Sequence, residues 1–179
     1  GVQVTLVEML DRLAGVMPAD ASRAIGRSLK KRRVDVRLGA KIVSARETDS
    51  GIAVEMGEGA SVETERVLAC VGRVPNVEGI GLEDLGVRLE DGLIAVDDCC
   101  QTNVDNIYAV GDVAERRQYA HLASRMGAIA ADNATGHEAR DDRTVVPVGV
   151  YTHPQVACVG LSTQQATDAG REVRSAKFP

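Results

Sequence analysis

Aromatic residues are scarce in this chain: tryptophan is absent, and three tyrosines with one phenylalanine make up 2% of its 179 residues. A core must therefore be assembled from valine, leucine, isoleucine and alanine. With 44% hydrophobic and 26% charged residues the composition is that of a globular protein rather than a disordered one. Its length suits one ordinary domain or pieces of two. No apolar run approaches the ~20 residues of a membrane span, so no membrane partner is expected. Positive charge is also in short supply. The 21 Lys and Arg against 26 Asp and Glu leave a net charge of −5, which argues against nucleic acid as a main partner.

Paired cysteines are missing as well. Cys70, Cys99, Cys100 and Cys158 include no C-x2-C or C-x4-C spacing, so neither a zinc site nor a redox dithiol is indicated. Adjacent Cys99 and Cys100 would point to opposite faces of an extended segment. All four are expected to be reduced structural thiols of a cytoplasmic protein. No nucleophile–base pair stands out, so no catalytic residue and no metal ligand is nominated.

The most informative stretch present is Ile107–Tyr108–Ala109–Val110–Gly111–Asp112, preceded by the polar lead-in Thr102–Asn106. Such a run is too short for a helix and predicts a buried strand ending in a tight turn. Gly111 would permit close approach to the backbone, and Asp112 would sit at the strand's carboxyl end with oxygens free to accept hydroxyl protons. Ligands of open α/β sheets bind at that edge. Taken alone, a Gly–Asp pair is equally a strand that stops at a turn. Downstream, Leu122, Met126, Ile129 and Ala130 recur at steps of three and four until Gly136, predicting an amphipathic helix that begins near Tyr119. The start of such a helix offers free N–H groups and partial positive charge to an electron-rich partner.

The combination T-x4-IYAVGD, then Tyr119–Ala120–His121 and the small-residue helix Ala123–Gly127, resembles the second flavin-binding motif of the pyridine nucleotide–disulfide oxidoreductases, most of all the dihydrolipoamide dehydrogenase branch. The resemblance implies that Asp112, beside Gly111, holds a ribityl hydroxyl of FAD. It also implies that Gln118, Tyr119, Ala120 and His121 face the flavin's pyrimidine end. Gln118 and Tyr119 stand where the family has Met and Leu, and the family's glycine-containing turn is replaced by Ala114–Glu115–Arg116–Arg117.

Other segments extend the likeness. Val2–Val7 followed by Glu8 predicts a strand with a terminal carboxylate. Alone this is a solvated loop start. In the family context Glu8 implies contact with the adenosine ribose hydroxyls and a preference for NAD over NADP. Pro18–Arg33 predicts a helix with Ala21, Ala24, Ile25, Ser28 and Leu29 on one side, and Lys30–Arg33 complementing its carboxyl end. Strands are expected over Val34–Leu38, Lys41–Thr48, Ile52–Met56 and Ser61–Val71, the middle pair forming a hairpin or meander. Ile42 is placed near the adenine by the resemblance, and core packing accounts for it equally well. Val67–Val71 predicts a buried strand running into Gly72–Arg73–Val74–Pro75–Asn76, similar to the family's G-R-x-P-N segment. There the Gly72 backbone would lie against NAD and Arg73 near a domain seam, while a hinge between domains is the plainer account.

A short helix is expected over Ile80–Gly86 and a strand over Leu93–Asp97. Strands are also expected over Pro147–Tyr151, Val156–Gly160 and Val173–Lys177, with a capping box of Ser162 and Gln165 opening a helix. The run Y-T-H-P-Q-V-A from Tyr151 resembles the start of the family's dimerisation domain.

The expected fold is α/β, with partial Rossmann-like FAD- and NAD-binding domains and the start of an α+β dimerisation domain. The parallel sheet carries an inserted antiparallel meander. The parts are 1–75, the carboxyl part of an NAD domain; 76–144, the second part of an FAD domain; and 145–179, the beginning of the interface domain. No G-x-G-x-x-G turn and no C-x4-C pair occurs, so the chain is expected to be an inactive piece from the middle of a longer homodimeric flavoenzyme. FAD and NAD are the implied cofactors and a lipoyl-bearing protein the implied partner. A mercuric or glutathione reductase, a soluble transhydrogenase or a non-catalytic nucleotide-binding relic remain the alternatives.

Overall fold

Parallel strands need a crossover between them, and the amino-terminal residues supply one. Strand β1 (Thr5–Val7) pairs in parallel with β2 (Asp35–Arg37), placing Leu6 opposite Val36. Helix α1 (Ala19–Lys31) makes the connection. Pro18 stands at its N-cap, Asp20 lies in the first turn and Lys30 and Lys31 in the last, charges that complement the helix dipole. The basic run is thus a helix end. Ser22 and Ile25 are buried on the inner face, and Leu13 and Met17 are buried in the segment just before it. The computed structural model describes residues 1–178, and the chain divides into two compact units, Gly1–Cys70 with 147–178, and Val71–Val146.

An antiparallel meander follows in the first unit, with β4 (Gly51–Met56) between β3 (Ile42–Thr48) and β5 (Ser61–Thr64). The central strand buries Ala53, Val54 and Met56, whereas β3 is an edge with most of its side chains exposed. The strand expected from Ser61 to Val71 stops at Thr64. Beyond it Leu68 is 87% exposed and Val71 89%. An apolar run of this kind is stable as a central strand only when neighbours pair with both edges and cover both faces. None of the described residues does so.

The second unit is organised around one long helix. The expected helix over Ile80–Gly86 is a set of turns instead, closed by Gly86 N–H to Glu83 O at 3.0 Å and Val87 N–H to Leu82 O at 3.0 Å. Seven residues that include Gly81 and Gly86 fall well short of a self-sustaining helix. Strands β6 (Leu89–Glu90) and β7 (Leu93–Ile94) form a tight hairpin, so the strand expected to reach Asp97 is only two residues long. Asp91 and Gly92 both take positive φ, 51° and 79°, the turn chemistry that matches strand twist. Helix α2 (Ala120–Ala134) then buries the four predicted residues, Leu122, Met126, Ile129 and Ala130. They join Val77, Leu82, Val87, Ile94, Cys100, Ala109 and Ala114 in one contiguous core. Fully burying a side chain such as Met126 contributes roughly 1.5–3 kcal/mol.

Residues 147–178 cluster with the first unit. Strands β8 (Val148–Val150) and β9 (Val156–Cys158) pair antiparallel, and α3 (Thr163–Asp168) opens on the expected capping box. Ser162 Oγ accepts from the Gln165 N–H at 3.2 Å, and Gln165 Oε1 accepts from the Ser162 N–H at 2.9 Å. The strand expected over Val173–Lys177 is irregular chain. No described helix is long and apolar enough to cross a membrane. The four cysteines are free, with Cys100 buried and Cys70 exposed. A structural thiol therefore describes Cys100 and not Cys70.

Candidate functional site

The segment 100–109 folds back on itself before the Gly–Asp pair. The Thr102 N–H bonds to Ile107 O at 2.9 Å and the Ala109 N–H to Cys100 O at 3.1 Å, with one antiparallel bridge between Gln101 and Tyr108. Asn103 ties this turn down, accepting from the Arg88 N–H at 2.7 Å and donating to Gly86 O at 2.9 Å. The predicted strand Ile107–Val110 is therefore extended and half-buried but bridged at a single point, because a ladder needs a continuous neighbour.

Val110 is fully extended, and the chain then turns sharply through the 3-10 segment Gly111–Val113. Gly111 is buried with φ +73°, and a Cβ there would meet Ala123 Cβ of α2 at 3.2 Å. The glycine thus serves a left-handed turn and a close approach of the protein's own helix. Asp112 projects from this turn with its side chain 44% exposed. Arg73 faces it, with Nη1 at 3.2 Å from Asp112 Oδ2 and Nη2 donating to Gln118 O at 2.9 Å. Arg73, two residues past Val71 at the boundary between the units, bridges the two ends of the motif. Gly72 beside it is exposed, at φ +123°.

Gln118 itself has φ +52°, and Tyr119 is the N-cap of α2. The cap makes no side-chain hydrogen bond and the first turn holds no acidic residue, so its leading N–H groups stay open to an acceptor. Ala120 begins the helix, and the Tyr119 and His121 rings stack with centroids 5.6 Å apart and planes at 12°. One surface therefore combines a carboxylate able to accept hydroxyl protons, a guanidinium, and a helix start favouring electron-rich groups. A polyol carrying an acceptor-rich ring fits that donor and acceptor set. Among the described residues no cluster of His, Cys, Asp and Glu suits a metal ion.

Two nominated residues belong to the first unit and are described there alone. Glu8 follows β1, donates its N–H to Arg37 O at 2.9 Å, and turns its carboxylate back to accept from the Leu10 N–H at 2.9 Å. Its backbone O accepts from the Ala40 N–H at 3.0 Å. Ile42 opens β3 opposite Met56, next to a bulge, and is 42% exposed, which leaves an apolar surface available beside that strand.

The residues missed in the sequence are charges. Asp141, with a fully buried carboxylate, takes Arg125 Nε at 2.8 Å and Arg143 Nε at 2.9 Å. Glu115 is held by Arg117, and Arg143 Nη1 lies 3.6 Å from its Oε2. Burial alone would raise the Glu115 carboxyl; hydrogen bonds from the Arg117 side chain and N–H, with the charges of Arg117 and Arg143, outweigh it and hold the group below the usual carboxylate range. Burial pushes the Cys100 thiol up despite the nearby Arg143 charge, leaving it unreactive. A buried carboxylate requires a partner, and Asp141 finds two, Arg125 from α2 and Arg143 from its own segment, which no local pattern in the sequence marks.

Comparison with known proteins follows the same lines. The chain matches the pyridine nucleotide-disulphide oxidoreductase family over residues 1–127 and that family's dimerisation domain over 146–179. Among curated relatives, dihydrolipoyl dehydrogenase of Mycobacterium leprae is 38% identical over all of this chain and 40% of its own length. The Bacillus subtilis dihydrolipoyl dehydrogenase is 36% identical over all of this chain and 39% of its own length. The chain therefore spans about two fifths of the length of the curated relatives it matches. Among solved structures, LpdA from Mycobacterium tuberculosis superposes with a TM-score of 0.87 at 34% identity, covering 95% of this chain and 37% of that one. The HOCl-induced flavoprotein disulfide reductase RclA of Escherichia coli gives 0.84 at 26% identity, covering 95% and 40%.

Proposed function

Since the chain belongs to the pyridine nucleotide-disulphide oxidoreductase family, we propose that it supplies the flavin-positioning and part of the nucleotide-binding surface of a dihydrolipoyl dehydrogenase. The whole enzyme would oxidise a protein-bound dihydrolipoyl group and reduce NAD⁺. Bound FAD would supply the electron relay between thiols and nicotinamide. The observation that carries this proposal is the convergence of Asp112, Arg73 and the uncapped start of α2 on one surface of residues 71–146. Relatives named dihydrolipoyl dehydrogenase support the choice within the family.

In this proposal residues 1–75 belong to the NAD domain, 76–144 to the FAD domain and 145–179 to the interface domain of a homodimer. Asp112 accepts a hydrogen bond from a ribityl hydroxyl. Gln118, Tyr119, Ala120 and His121 present backbone groups to the pyrimidine end, and the α2 dipole favours negative charge there. Glu8 accepts from the adenosine ribose hydroxyls and repels a 2′-phosphate. Ile42 lies against the adenine and Gly72 against the nicotinamide nucleotide. A cytoplasmic setting suits the four free thiols.

The test is FAD content and NAD⁺ reduction with dihydrolipoamide by the full-length protein, wild type and Asp112→Ala. Wild-type protein should purify yellow and turn over. The variant should lose about tenfold or more in FAD affinity, the scale expected when a charge-assisted hydrogen bond is removed. A colourless wild-type protein, or one that reduces glutathione disulfide with NADPH instead, would sink the assignment.

A further inference from the structure

The turn between Asp112 and α2 contains a device that nothing above requires. Gln118 holds a left-handed φ of 52°, a conformation that disfavours a non-glycine residue and persists only where the surroundings fix it. The surroundings here are ionic. Glu115 Oε1 accepts from both the Arg117 N–H at 3.0 Å and Arg117 Nε at 3.1 Å, and Oε2 accepts from Arg117 Nη2 at 3.1 Å. This two-pronged fork is reinforced by the Gln118 N–H on Glu115 O at 3.3 Å. Arg117 Nη1 also donates to Arg143 O at 3.1 Å. Arg143 grips Asp141, which grips Arg125 on α2. The links form a closed circuit: turn, the 141–143 segment, helix, and back to the turn.

Buried ion pairs of this kind contribute little net stability compared with apolar packing, and their better attested use is to select one conformation. Its place in the circuit indicates which conformation. The fork closes immediately before Gln118, whose carbonyl takes Arg73, which in turn pairs Asp112. The Ala114 and Glu115 N–H groups both bond to Gly111 O at 2.9 Å, so the same clamp reaches the glycine that sets the Asp112 turn. This stretch is also where Ala114–Arg117 replaces a glycine-containing turn, so that side-chain charge does here what backbone freedom would do.

We propose that Glu115, forked by Arg117 and anchored through Arg143 and Asp141, is a positioning residue that fixes the Gly111–Tyr119 turn so that Asp112 and the α2 start face a single flavin. The proposal rests on the assignment of this surface to FAD. Glu115 touches no ligand itself; it acts through Gln118 and Gly111.

The experiment uses full-length apoprotein titrated with FAD, comparing wild type with Glu115→Gln, Arg117→Lys and Asp112→Ala. Affinity, the visible circular dichroism of the bound flavin, and amide exchange at Gln118 and Tyr119 are read together. Glu115→Gln is expected to weaken FAD binding about tenfold, the scale of one charge-assisted hydrogen bond, to change the flavin dichroism, and to speed amide exchange at 118–119. Arg117→Lys keeps the charge, lacks the fork, and should move all three the same way by a smaller factor. If Glu115→Gln fails to fold, Arg117→Lys alone decides. Wild-type affinity and dichroism in both variants, with Asp112→Ala impaired, overturn the positioning role. Wild-type affinity in Asp112→Ala overturns the flavin assignment, and the positioning role falls with it.

Discussion

Apolar side chains in residues 71–146 converge on α2 from several turns and a hairpin, whereas many in the other unit remain outside. Met9, Val16 and Val43 are each more than 60% exposed there, and Leu68 is 87% exposed. The contrast is one of architecture rather than composition. A helix laid over hairpins closes a core with residues that are near in sequence. Among the described residues the parallel pair β1 and β2 has one crossover helix and no further strand to extend it, and parallel sheets are stable when both faces are covered. The consequence is that residues 71–146 carry a contiguous core of their own, while the other unit leaves more of its large apolar side chains exposed.

Met126→Ala applies the largest expected perturbation, since the residue is fully buried and such truncations cost about 2–5 kcal/mol. Hydrogen exchange followed by mass spectrometry should show protection falling across residues 71–146 and holding in β3–β5. Simultaneous loss in both would show one cooperative body and end the contrast. Asp141→Ala comes next. It leaves Arg143 with Glu115 as its remaining carboxylate and frees Arg125, and at about 3 kcal/mol, the low end for a broken buried pair because Arg125 is largely exposed, it should lower the denaturant midpoint of the second unit. Gly111→Ala forces a Cβ into a left-handed turn against Ala123 and should cost about 1–2 kcal/mol, measured the same way; an unchanged midpoint would mean that α2 is not locked to that turn.

The smallest effect concerns acid. Glu115 is held below its ordinary range in the folded chain, so its stabilisation is complete above about pH 4.3, the unfolded value, and is lost as pH falls through the folded value. Melting curves from pH 7 to acid should therefore fall less steeply for Glu115→Gln than for wild type. Identical slopes would remove Glu115 from the acid response.

What could be read from the residues follows the same division. Helix α2 and its four buried positions were legible because steps of three and four are a local signal, and the Ser162–Gln165 cap because its partners are three residues apart. The strand over Val67–Val71 was legible as an apolar run but not as exposed chain, since its fate depends on neighbours that the local pattern does not contain. At the site, Gly111 and Asp112 were visible in the motif. Arg73 was not, because its partners lie far along the chain and only folding brings it to Asp112. The burial of Asp141 was not legible either, since charge in sequence says nothing about burial until Arg125 and Arg143 are seen to enclose the carboxylate.

The Tyr119–His121 stack makes the candidate site self-reporting. With no tryptophan in the chain, near-ultraviolet emission comes from three tyrosines alone, and Tyr119 caps the helix at which a flavin ring is proposed to rest. A bound isoalloxazine absorbs where tyrosine emits, so entry of the ring should dim this residue by energy transfer. Occupation of this surface could then be followed through Tyr119.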